Sequence, residues 1–87
     1  MRCYIISFTL RKDKDYTPLY KAIKSYGTWA RVLEFTWAVV TEQPAKEIRD
    51  YLKKFLDESD KIFVVRSGAE AAWKDVICSN DWLKKNL

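Results

Sequence analysis

The sequence predicts an α+β fold in which two helices cover one face of an antiparallel sheet. Three observations predict it. The apolar patterns run strand, helix, strand, strand, helix, strand, followed by a tail. The N-terminal run alternates with period two, while two later stretches repeat with helical spacing. Finally, 87 residues suffice for one core and not for two, so residues 1–87 form a single domain.

The first strand spans Arg2 to Leu10. Tyr4, Ile6, Phe8 and Leu10 share one face, and Cys3, Ile5, Ser7 and Thr9 share the other. The second face is small and uncharged, as expected of a central strand covered on both sides. Arg11 to Asp15 reads as a charged loop. Thr17-Pro18 reads as a helix start, with Thr17 as N-cap and proline where its missing N–H costs nothing. Tyr16, Leu19, Tyr20 and Ile23 then follow an amphipathic stripe, and Gly27 supplies a stop.

Trp29 to Thr41 is rich in β formers and too long for one average strand. It is expected to fold as two strands joined by a tight turn or bulge near Glu34-Phe35, although no Gly, Asn or Pro marks that turn. Pro44 opens the second helix, whose apolar stripe is Ile48, Tyr51, Leu52, Phe55 and Leu56. Ile62 to Val65 forms a short last strand, closed by Ser67-Gly68. In the tail from Ala69 to Leu87, Ser79 or Asn80 is placed to cap a terminal helix carrying Trp82 and Leu83. The βαββαβ order is that of the ferredoxin-like fold, with a C-terminal tail helix added. Such a sheet leaves one face without helices, and a second copy of the chain is its simplest cover.

Composition excludes several chemistries. The chain has no histidine, so imidazole-based catalysis, histidine metal ligation and an imidazole pH switch are out. Its two cysteines, Cys3 and Cys78, lie far apart and form no CxxC motif, so neither a zinc site nor any other cofactor is expected. A buried reduced Cys3 fits a cytoplasmic protein. The N-terminus reads as a strand rather than a secretion signal, and no apolar run has membrane-spanning length.

The net charge is +4 and unevenly placed. From Met1 to Arg31 there are seven basic and two acidic residues; the remainder has nine and ten. Arg11, Lys12 and Lys14 in the first loop, joined by Arg31, are candidate phosphate contacts that would position the chain on nucleic acid without reading sequence. A solvated face explains the same residues without function, and the sequence leaves both open. Trp29 and Trp37 share a parity and fit either core packing or base stacking. Glu34 fits either a water-facing turn position or a partner for Arg31.

The runs Tyr4-Ile5-Ile6-Ser7-Phe8-Thr9-Leu10-Arg11-Lys12, Asp15-Tyr16, Leu19-Tyr20-Lys21-Ala22-Ile23, Leu33-Glu34-Phe35-Thr36-Trp37 and Asn80-Asp81-Trp82-Leu83-Lys84-Lys85-Asn86-Leu87 resemble the SinR-like small proteins. These are relatives of the dimeric CRISPR-adaptation subunit and of VapD-type toxins. The resemblance implies a ferredoxin-like homodimer; the strand alternation puts Ile5 and Ser7 on the face expected at its seam, and the resemblance adds Thr9. In nuclease members an aspartate near the end of the first strand is the proposed metal ligand. Where such relatives read Tyr-Asp-Leu, this chain reads Phe8-Thr9-Leu10. A neutral hydroxyl holds Mg²⁺ poorly, so Thr9 marks a degenerate catalytic position and no metal site is expected. The expected function is therefore non-catalytic binding, as a homodimer, to nucleic acid backbone or a protein partner. The alternatives are a metal-dependent endonuclease or toxin of the same type, and a phage or mobile-element inhibitor of a host protein acting in defence or counter-defence.

Overall fold

In the computed structural model every residue is described except Lys12, Asp13 and Ala69. The elements are β1 (Arg2–Thr9), α1 (Thr17–Lys24), β2 (Thr28–Leu33), β3 (Thr36–Thr41), α2 (Ala45–Lys53), β4 (Lys61–Arg66) and α3 (Asn80–Asn86). The four strands order as β2-β3-β1-β4, with every neighbouring pair antiparallel. The fold is α+β and ferredoxin-like.

Strand parity divides the chain into two packing layers. Tyr4, Ile6 and Phe8 of β1 lie beside Val39 and Trp37 of β3. On the same face they meet Leu19, Ala22 and Ile23 of α1 and Ile48 and Leu52 of α2. Ile6, Leu19, Ile23, Ile48 and Leu52 are fully buried there. Each contributes about 1.5–3 kcal/mol by leaving water, which is why this face holds the fold.

The opposite face carries smaller side chains. Ile5 pairs with Ala38, and Ala38 with Ala30. Ala30, Ala38 and Cys3 are buried although they point away from α1 and α2. The chain's own C-terminal segment provides this cover. Ile77 N–H donates to Val32 C=O at 2.9 Å on the outer edge of β2. Leu83 of α3 is 1% exposed, and together with Leu87 and Trp73 it shares a cleft with Ile5 and Val65. The Ser79 hydroxyl caps that helix by accepting the Trp82 N–H at 3.1 Å, as its sequence position predicts. The cover expected from a second copy is thus supplied in part from within the chain.

Two local details differ from the sequence expectation. Thr17 does not cap α1: the preceding Asp15 carboxylate accepts the Thr17 N–H at 2.9 Å and its hydroxyl at 2.6 Å. A carboxylate is the stronger acceptor and is favoured near a helix N-terminus. The turn at Glu34-Phe35 forms where expected, but neither residue has positive φ. The primed turns that suit hairpin twist need positive φ, so this hairpin takes up the mismatch in a bulge between Arg31 and Leu33.

Candidate nucleic-acid interface

The predicted basic residues fall into two separate settings. The loop after β1 belongs to a hydrogen-bonded network with the α2–β4 connection. Arg11 lies 3.4 Å from the Asp57 carboxylate, and the Lys14 ammonium pairs with the same carboxylate. Tyr16 is buried, and its hydroxyl donates to Asp60 at 2.7 Å while accepting the Arg11 N–H at 3.1 Å. Asp60 also accepts the Asp57 N–H at 2.8 Å. Despite desolvation, which opposes the shift, the Asp57 N–H and Tyr16 hydroxyl hold Asp60 below the usual carboxylate range. The hydrogen bond from Lys14 to Asp57 raises the Lys14 ammonium. Lys12 and Asp13 lie outside the described residues. The basic loop is therefore matched, at least at Arg11 and Lys14, by an acidic partner.

Arg31 does not join that loop. It stands on β2, at the sheet edge opposite β4, and projects on the helix-covered face beside Trp37. Its guanidinium lies 5.2 Å from the Tyr20 ring and 5.4 Å from the Trp37 ring. Arg31 also donates to the Glu34 carbonyl at 2.9 Å, so it meets Glu34 through the backbone rather than the carboxylate. Next along the ridge, the Lys24 ammonium sits 5.1 Å from the Trp29 ring. Tyr20 stacks on Trp37 at 5.5 Å, and Trp29 contacts Trp37 at 5.5 Å. Trp37 is buried core, whereas Tyr20 and Trp29 are half-buried.

The sequence builds this ridge through two registers. Trp29 and Arg31 are two apart on β2, so they share a face. Tyr20 and Lys24 are four apart on α1, one turn, so they look along the same side. Lys21 adds an exposed cation on α1. Among the described residues no carboxylate pairs with Lys24 or Arg31. Ring faces hold these cations in place without neutralising them. Sequence reasoning named Arg31 and both tryptophans but missed Lys24 and Tyr20. The signal was the i, i+4 spacing on α1 facing an alternating Trp-x-Arg on β2.

Thr9, expected from the resemblance to be a degenerate catalytic position, is exposed at the end of β1, directly across from Lys61 of β4. Ser7, on the same face, shares a 3.1 Å hydroxyl–hydroxyl hydrogen bond with Thr36. Ile5 is half-buried beside the tail. Among the described residues, no three His, Cys, Asp or Glu side chains gather as a metal-binding group. Cys3 and Cys78 are free thiols, and burial raises Cys3 above its usual value. No described helix is long and apolar enough to cross a membrane. No protein-family model matches the chain, and comparison with curated proteins gives no match.

Proposed function

We propose that this chain is a non-catalytic binding protein that acts as a homodimer and holds nucleic acid by its phosphate backbone through the α1–β2 ridge. One observation carries the proposal: Arg31 and Lys24 are held against rings, while Arg11 and Lys14 are held against Asp57. A cation fixed on a ring keeps its charge available for phosphate. A cation paired with a carboxylate must first give that partner up. Lys21, Lys24 and Arg31 supply the charge, and the half-exposed Trp29 and Phe35 offer apolar surface beside it. Contacts of this kind position a strand without reading its sequence.

The nuclease alternative is disfavoured by the neighbour of Thr9. Lys61, the cross-strand partner of Thr9, adds a positive charge at that end of the sheet, which opposes a divalent cation there. The two free thiols support a cytoplasmic setting. Titration of a labelled single-stranded oligonucleotide across salt concentrations tests the proposal. Salt-sensitive binding with no Mg²⁺- or Mn²⁺-dependent cleavage is expected. Absence of binding at low salt would refute it.

A further inference from the structure

The sheet has two edges, and the chain treats them differently. The outer edge of β2 is engaged by the tail through the Ile77–Val32 hydrogen bond. Among the described residues no backbone hydrogen bond reaches the outer edge of β4. The ladder shows which groups that edge presents. Phe8 N–H donates to Phe35 C=O, so the even-numbered residues of β1 bond toward β3. Ser67 N–H donates to Cys3 C=O at 2.8 Å, so the odd-numbered residues of β1 bond toward β4. Along β4, residues 61, 63, 65 and 67 therefore turn their peptide groups inward. Ile62, Val64 and Arg66 turn theirs outward.

The side chains of this strand are equally unfinished. Phe63 is 64% exposed and Val65 42% exposed, both on the face away from α1 and α2. The strand holds no proline or bulge, two of the devices that ordinarily blunt an edge. Lys61 and Arg66 stand at its ends and leave Ile62 to Val65 as an apolar centre.

We infer that β4 pairs antiparallel with β4 of a second copy, about a two-fold axis through Val64, so that two four-stranded sheets become one continuous sheet. This deepens the homodimer reading above and assigns it to the edge of the sheet rather than to the face at Ile5, Ser7 and Thr9. The register follows from the outward groups. Val64 opposes the partner's Val64, and Ile62 opposes the partner's Arg66, which pairs the donors and acceptors at all three positions. Phe63 then falls opposite the partner's Val65 at a non-hydrogen-bonded site, where side chains approach most closely. Lys61 falls opposite the partner's Ser67, so no two like charges face each other. A second copy fits because the strand is self-complementary: its exposed aromatic meets its own exposed valine, and its outward groups match themselves. The described tail lies elsewhere: Ile77 hydrogen-bonds Val32 of β2, and Leu83 and Leu87 share a cleft with Ile5 and Val65.

Light scattering with concentration series tests this on the full chain. The wild type is expected to weigh twice the 10.3 kDa chain mass at about 100 μM. Phe63→Lys, at an exposed position, should raise the dimer dissociation constant at least tenfold. Arg66→Pro removes an outward N–H and leaves every inward bond in place, which an edge strand tolerates; it should weaken the dimer similarly while leaving the fold's circular dichroism unchanged. Hydrogen exchange at the Val64 amide should slow as concentration rises. A 10.3 kDa particle at every concentration would overturn both the edge pairing and the homodimer. A dimer that survives both substitutions, with Val64 exchange independent of concentration, would overturn the edge pairing alone.

Discussion

Thr9 and Lys61 stand directly opposite each other where β1 ends and β4 begins. The pair decides what a carboxylate at that position would do. Thr9→Asp would place an anion beside an ammonium, and the two would neutralise each other before a divalent cation arrived. The expected gain is a cross-strand ion pair worth roughly 0.2–1 kcal/mol of stability. Calorimetric titration of Thr9→Asp with Mn²⁺ should show no binding below millimolar concentrations. Submillimolar binding would mean that Lys61 does not neutralise a carboxylate at this position.

The tail is expected to be structural. Leu83 is 1% exposed, so Leu83→Ala should cost about 2–5 kcal/mol in urea unfolding. The same change should loosen the cover over Cys3, which is 6% exposed. In a Cys78→Ser background, thiol labelling of Cys3 should therefore be faster in Leu83→Ala than in its parent. Equal labelling rates would mean that α3 does not shield the sheet.

Asp60 gives the fold a dependence on acid. A carboxyl held below its ordinary value binds protons less readily in the folded chain than in the unfolded one. Its contribution is fully present above about pH 3.9 and is lost as pH falls through the lowered value. Urea unfolding of the wild type should therefore show a loss of stability below about pH 4. Asp60→Asn should start less stable at neutral pH and lose less on acidification. An identical pH slope in the two proteins would remove Asp60 from the account.

Much of the fold is legible in the sequence because its signals are local. Period two in Arg2 to Leu10, the stripe from Ile48 to Leu56 and the Ser79 cap each act within a few residues. The hairpin at Glu34-Phe35 was placed by strand length alone, and the bulge that accommodates it had no marker. The position of the tail was not legible. Nothing near Leu83 states that it will share a cleft with Ile5 and Val65, 78 and 18 residues earlier. The candidate site divides in the same way. Arg31 was visible as a charge in an extended segment. Its setting against Tyr20 and Trp37 depends on α1 lying over β2 and β3, which only the folded chain brings together. Arg11 and Lys14 looked equally available in sequence, because their partner Asp57 is more than 40 residues away.

The most direct measurement compares two double variants in salt titrations of single-stranded oligonucleotide binding. Lys24→Ala/Arg31→Ala removes the cations held by rings. Arg11→Ala/Lys14→Ala removes those held by Asp57. Each lost contact to a single strand should flatten the log–log salt slope by about 0.7. The account predicts a slope reduced by about 1.4 in the first variant and essentially unchanged in the second. A reduced slope in the loop variant, with the ridge variant matching wild type, would contradict it.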